Sequence, residues 1–543
     1  MNQPQSGQNF LDKNTVLAIA IVTMIWVGWT YYQQKKYPDY HAQKEATSQK
    51  TTEQQAENAS APKSESTKSA AESGSVVTMN TGGGESLAAA SEKTLKFDDE
   101  KWSFVVSSKG MGLRDIVLKQ YSDRHGNPVN VGVNDTENLP FSTNIIGRNT
   151  PIDFSIERTE SNQFSGRALV GGMTIVKTMI VHSDTFTLES KVSVESAPET
   201  FSGVTLALNK QLEEPTESSS LLPSFERQDW YVEYDGSHDR QHLDFKNETN
   251  ENYSRVNLAS MSSQYFALAV LDKSQILPDL KAKVDLGSKT VKGTLFYNRI
   301  NKTAAFDHEY LAFAGPKSLR LLESIDGSMA NMIDLGWFSS IGIYILKLMK
   351  WFYSFIGNWG LSIILLTVVV RLLVLPANLM SYKSMKGMQK IQPEMKMIRE
   401  KYKDDKQKLN EEMVRLMREA KANPLGGCLP MLIQFPVFIA LYQVLGQSIE
   451  LYQAPFGLWI HDLSLKDPYF ILPVMMGVTM FVQQKITPST MDPAQAKVML
   501  VLPVVFAFFM AGLPAGLTLY IFVSALFGVF QQMVFMRPDK VKA

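Results

Sequence analysis

Residues 362–380 read SIILLTVVVRLLVLPANLM, an apolar run long enough to cross a bilayer, with Arg371 in its interior and no acid within a helical turn. Nothing else in the chain limits its fold so sharply. A guanidinium enclosed by aliphatic side chains is costly, so the fold must supply it with a partner or with water.

Five apolar segments follow residue 357, at 358–376, 426–446, 469–484, 498–513 and 515–535, and short loops join most of them. The sequence therefore predicts a multi-domain membrane protein with an α-helical core of five spans. Residues 15–32, TVLAIAIVTMIWVGWTYY, add an N-terminal span after a leading segment, 1–14. That run ends in bulky aromatic residues with no small-x-small cleavage site, and Trp29, Tyr31 and Tyr32 suit an interfacial belt. It reads as an uncleaved anchor rather than a signal peptide. The 54 basic and 54 acidic residues balance, which argues against polyanion binding and sequence-specific nucleic-acid recognition. The single cysteine, Cys428, excludes an internal disulfide, so an exported domain must rely on its core.

Residues 33–93 are rich in Ser, Thr, Ala, Gln, Glu and Lys, with few aromatics, and read as a flexible tether. From 94 to 325 the apolar period becomes two, as in Phe186-Thr-Leu-Glu-Ser-Lys-Val-Ser-Val194. Strands are expected also at 174–182 and 265–271, with a hairpin over 281–298 turning at Gly287-Ser288. An all-β sandwich of about 230 residues follows. His182, His238, His242 and His308 have no metal-ligand spacing and read as ordinary histidines.

Residues 326–357 include LGWFSSIGIYILKLMKWFYSFIG (335–357), where Ile341, Tyr344, Ile345, Leu348, Phe352 and Phe355 form one stripe, with Ser340, Lys347, Lys350 and Ser354 opposite. This division predicts an amphipathic helix lying in the membrane interface. Were it to span instead, the sidedness of everything before it would invert.

Sidedness follows from basic residues in short loops. Residues 377–422 hold twelve Lys/Arg and seven Asp/Glu and are expected in the cytoplasm. Loop 447–468 then faces outward, 485–497 and the tail 536–543 face inward, and the β domain lies outside with an inward N-terminus. Lys35 and Lys36 run against this rule, but a large domain translocates largely regardless of its charge. Within 377–425, Met388, Ile391, Met395, Ile398 and Tyr402 oppose Leu409, Met413, Leu416 and Ala420 across the polar turn Lys403–Gln407. This predicts a helical hairpin whose tip, with Lys401, Lys403, Asp404, Asp405 and Lys406, could dock a ribosome or nascent chain.

Arg371 lies about twelve residues into its span, ~18 Å from the outer edge of a ~30 Å core. None of the five spans carries an interior Asp or Glu. The remaining solution is a hydrated recess open to the cytoplasm. Thr367 on the same helix face, Gln434 and Gln443 in the next span, and the hydroxyl of Tyr520 in the last would line it. Such a recess attracts a hydrophilic, often acidic, stretch of polypeptide. The short spans at 469–484 and 498–513 favour local thinning of the bilayer, and 19 of 26 methionines fall after residue 325, suiting surfaces that accept many sequences.

Anchor, external β domain, interfacial helix, arginine-bearing span and hairpin lead into Asn423-Pro-Leu-Gly-Gly-Cys-Leu-Pro430, then Ile433-Gln-Phe-Pro436, Gln453-Ala-Pro-Phe456 and Trp459-Ile-His-Asp-Leu463. Across essentially the whole chain this resembles the YidC family of bacterial membrane protein insertases, in the form with a large periplasmic domain. Asn423, Pro424, Gly426, Gly427, Cys428 and Pro430 form the family signature. The resemblance implies a β-supersandwich similar to sugar-binding enzymes and a five-helix core around a positively charged groove. Arg371 stands at the family's groove arginine, Thr367 at its neighbouring threonine and Tyr520 at its aromatic contact. It also implies a Gram-negative inner-membrane location, and as partners nascent membrane proteins, the Sec translocon, the ribosome with signal-recognition machinery, and lipid.

The function expected is therefore insertion and chaperoning of membrane proteins, not enzymatic catalysis. No phosphate-binding loop is present, and no cofactor is required. A small-solute transporter or channel is the alternative, disfavoured by the lack of repeated spans and of intramembrane carboxylates. A glycan enzyme would need paired carboxylates in the β domain.

Overall fold

The computed structural model describes residues 92–535, apart from 124, 134–138, 214–226, 244–247, 301–305, 337, 421–428 and 488–492. The anchor, the tether, the tail and the Asn423–Cys428 part of the signature lie outside the described residues.

Alternating side chains build the β domain. Strand Met173–His182 buries every second residue, so one face packs inward while its neighbours stay half-exposed. Strand Phe266–Asp272 is buried throughout, as expected of a central strand. Among the described residues antiparallel strands form sheets of four, five and nine, and the predicted hairpin pairs Asp279–Asp285 with Thr290–Asn298 around the expected turn. The sheets share one core, in which Trp102, Phe104, Phe164, Trp230 and Phe313 are almost wholly buried. Within it Lys177 donates to the carbonyls of Phe141 (2.6 Å), Met111 (3.1 Å) and Gly110 (3.3 Å). Burial without a carboxylate lowers its pKa from 10.5 to about 7.

One expectation needs correction here. The strands stop at Pro316, and helix α1 (Leu319–Ile325) follows inside the stretch read as all-β. Its Leu319 and Leu322 are buried, an i, i+3 pair that suits a helix. Helix α2 (Ser339–Ile356) forms as expected but buries Gly342, Ile345, Leu346 and Met349. Ile341, Tyr344, Trp351 and Phe355 point outward, and Lys350 turns inward to Glu450 at 2.6 Å. In lipid the outward face is itself apolar, so an apolar stripe does not reveal which side meets protein.

Helix α3 (Trp359–Leu373) begins with Asn358, whose carboxamide oxygen accepts from the Leu361 N–H at 3.0 Å. The apolar run does not continue straight. It bends by 59° into α4 (Leu375–Lys390), with Pro376 in the first turn after the break. Pro is favoured there because the first amides of a helix have no intrahelical partner. Helices α5 (Gln392–Lys401) and α6 (Lys406–Glu419) follow, with a small core of Met388, Ile391, Met395 and Leu416. Asp405 caps α6 by accepting from Lys408 N–H at 3.1 Å.

The remaining helices are α7 (Leu429–Gln447), α8 (Ile471–Ile486), α9 (Pro493–Met510) and α10 (Ala515–Phe535). Among the described residues only α10 is long and apolar enough to cross a membrane alone; α3 and α4 pass together as a bent pair. Core residues of the bundle include Leu366, Leu441, Val444, Met476 and Tyr520. The end of α7 and the segment after it join bundle to β domain: Gln264 donates to the Gly446 carbonyl at 2.7 Å, Ile449 enters the β core, and Tyr452 donates to the Ser122 carbonyl at 2.6 Å.

Candidate functional site

Arg371 occupies the last turn of α3 and is half-buried. Its guanidinium edge lies on one oxygen, Oγ of Ser524 in α10, to which Nε donates at 2.8 Å and Nη2 at 2.5 Å. Ser524 is buried. One turn earlier on α10 stands Tyr520, almost fully buried, whose hydroxyl accepts from Gln434 Nε2 of α7 at 2.7 Å. Ser524 and Tyr520 share one buried face of α10. The bend after α3 brings Tyr382 of α4 within electrostatic reach of the guanidinium, as is Tyr520. Among the described residues no carboxylate pairs with Arg371. Its two described hydrogen bonds both end on one neutral hydroxyl, that of Ser524.

Of the residues expected at the recess, Gln434 bonds Tyr520, which stands one turn along α10 from the Ser524 that holds Arg371. Thr367 is fully buried, and its hydroxyl donates to the Ile363 carbonyl of its own helix at 2.6 Å. A threonine on a tightly packed helix commonly satisfies itself this way. Gln443 lies at the other end of α7, beside Gly336. The sequence reading missed Ser524, and it treated the arginine as free of any fixed partner. Serine is common in membrane helices, and only its position four residues after Tyr520 pointed to the same face.

Several sequence motifs prove architectural. Phe456 presses on Gly360, where a β-carbon would lie 2.0 Å from Phe456 Cδ2, and Asn358 holds the Phe456 carbonyl at 3.0 Å. Asp467 accepts from Trp459 Nε1 at 3.1 Å and from the Leu472 amide at 2.7 Å, fixing the entry to α8. Pro430 sits in the first turn of α7. At the turn between α5 and α6, Lys401, Lys403 and Asp404 are exposed and Asp405 is committed to its cap; Lys406 opens α6. Among the described residues no group of His, Cys, Asp and Glu could hold a metal ion.

Residues 94–348 match the family described as the YidC periplasmic domain, and residues 351–542 that described as 60Kd inner membrane protein. The membrane protein insertase YidC of Pelobacter propionicus is 35% identical over 464 residues, covering 80% of this chain and 84% of that protein. The chain belongs to the YidC family of membrane protein insertases. Its Geotalea daltonii relative is 44% identical over 280 residues, 51% of this chain and about half (53%) of that protein's length. A solved structure titled as an active YidC insertase with its first transmembrane domain resolved is 19% identical, covers 83% of this chain and 94% of that one, and superposes with a TM-score of 0.39. The YidC assignment accounts for a β-rich periplasmic domain followed by C-terminal helices in one chain.

Proposed function

We propose that the chain inserts and folds nascent membrane proteins by receiving a polar external segment at Arg371 while the apolar segment leaves along α7 and α9 into lipid. The observation that carries this reading is the guanidinium bonded to Ser524 among neutral groups, inside an apolar bundle. An arginine kept for helix packing would be expected to meet a carboxylate; one kept for a transient guest is better held by a weak, displaceable acceptor. Transfer of apolar surface to lipid, at about 25 cal/mol per Å2, can drive the step without nucleotide.

In this reading the helices after residue 357 form five spans in a Gram-negative inner membrane, with α3 and the start of α4 together making the first. Both termini and the α5–α6 hairpin are cytoplasmic, the β domain is periplasmic, and α2 lies in the outer interface. The exposed tip at Lys401, Lys403 and Asp404 would meet the ribosome or signal-recognition machinery, and the Sec translocon would be a further partner for larger substrates.

Purified protein in proteoliposomes tests this with substrates that differ only in an acidic or neutral external segment. Arg371→Ala should slow the acidic substrate by about ten- to a hundredfold, the worth of one charge-assisted hydrogen bond. Arg371→Lys should retain most of the activity, because a mobile cation in a wet recess needs no fork geometry. Equal loss for both substrates would refute the proposed role of the charge.

A further inference from the structure

Beyond Arg371 toward α4, the polar lining of the bundle continues without charge. Tyr520, Ser524, Gly528 and Gln531 share one buried face of α10, which continues onto Gln532. Gln532 is satisfied, donating to Thr487 Oγ1 at 2.9 Å. Gln531 is not. Asn378, in the first turn of α4, donates from Nδ2 to Gln531 Oε1 at 3.3 Å, and both side chains are 2% exposed. Their other polar atoms, Asn378 Oδ1 and Gln531 Nε2, are buried without a hydrogen-bond partner among the described residues.

This deficit does not depend on how the carboxamides are oriented. One bond between two such groups uses one donor and one acceptor, leaving a carbonyl oxygen on one side and N–H on the other. Unmet polar groups in an apolar bundle are strongly unfavourable, so the pair is suited to a guest that brings one donor and one acceptor together. A peptide group has that composition and recurs at every residue of an unfolded chain, whatever its side chains. The site is also neutral, so it cannot select by charge. Gln531 lies seven residues, about 10 Å, along α10 from Ser524. The break at Val374 puts Asn378 on a different helix from Arg371, at 59° to it.

We propose that Asn378 and Gln531 form a binding station for the polypeptide backbone of a segment travelling to Arg371. This rests on the insertion reading above and adds to it a sequence-independent site. The test uses the full chain in proteoliposomes, with Asn378→Leu and Gln531→Leu combined so that neither carboxamide is left alone. Substrates carry uncharged external segments, short or long. The double variant should slow the long-segment substrate by about tenfold, the worth of one or two net hydrogen bonds, and leave the short one near wild type. In a Cys428→Ser background, with copper phenanthroline and oxygen as oxidant, Gln531→Cys should form a disulfide with a cysteine in the polar segment of a stalled nascent chain.

Equal slowing of both substrates, or a lowered thermal midpoint with no length dependence, would make the pair a structural bond and overturn the proposal. So would a Gln531→Cys variant whose thiol reacts with a small reagent but never with the nascent chain, the result for a site that holds water only. Arg371→Gln is run in parallel with acidic segments. If it changes nothing, the arginine reading fails while the length dependence at 378 and 531 stands or falls separately.

Discussion

Replacing Ser524 by aspartate tests what holds the arginine. Two N–H groups, Nε and Nη2, already converge on Oγ at 2.8 and 2.5 Å, the side-on approach by which a guanidinium grips a carboxylate. Ser524→Asp puts a charged acceptor close to the same place with little change in volume. A net hydrogen bond to a charged acceptor contributes ~1.5–3 kcal/mol against ~0.5–1.5 for a neutral one, so two such bonds gain about 2–3 kcal/mol. An acidic substrate segment must then displace an internal carboxylate, and its capture should weaken by about thirty- to 150-fold. Single-turnover insertion into proteoliposomes, with acidic and neutral external segments compared, gives the ratio directly. The neutral substrate should change by less than about threefold, since its passage does not require the guanidinium. Ser524→Thr, which keeps the hydroxyl, should behave as wild type. An aspartate variant that inserts acidic segments at the wild-type rate would show that the guanidinium is not the group that binds them.

His308 is buried against Tyr297, with ring centroids 3.9 Å apart, and burial first, then the nearby Lys177, lowers its pKa from 6.5 to about 3. The unfolded chain therefore takes up this proton first, and stability is lost as pH falls from 6.5 toward 3, at ~1.4 kcal/mol per unit. Asp272 opposes it: burial raises its pKa from 3.8 to about 6, so the folded state protonates first and gains stability as pH falls through that window. Asp272→Asn should thus make the β domain lose more stability than wild type between pH 6 and 4, read by hydrogen exchange in strand Phe306–Pro316; parallel curves would contradict this. At the opposite end of the bundle, Gly360→Ala places its methyl 2.0 Å from Phe456 Cδ2. It should cost about 1–3 kcal/mol and lower the thermal midpoint, with Phe456→Leu restoring it; an unchanged midpoint would show that this contact yields freely.

Which parts of this molecule were legible depends on what surrounds them. The period of two in 173–195 declared its strands because one face meets core and the other water. The α2 stripe was legible as a helix, and Tyr344 and Phe355 of that stripe are exposed, whereas the inward turn of Lys350 to Glu450 had no signal in the sequence. Arg371 stood out as the one charge in an apolar run, whereas Ser524 carries no such contrast. The break at Val374 had a signal in Pro376, but the apolar residues on both sides concealed it. Asn378 and Gln531 were still harder to read, since their significance lies in what they fail to bond. Thr367 illustrates the converse: it shares the helix with Arg371, yet its hydroxyl is spent on its own backbone.

Insertion as proposed requires Arg371 to set a positive potential in a recess that water can enter. With Cys428, the sole native cysteine, replaced by serine, Gln434→Cys places a thiol on the half-buried side chain that normally bonds Tyr520. The decisive measurement is its rate of reaction with an anionic sulfonate and a cationic ammonium thiosulfonate, each added from the cytoplasmic side, with and without Arg371→Gln. The anion should react faster and lose that advantage when the arginine is removed. A thiol that neither reagent reaches, or an anion preference unchanged without Arg371, would contradict it.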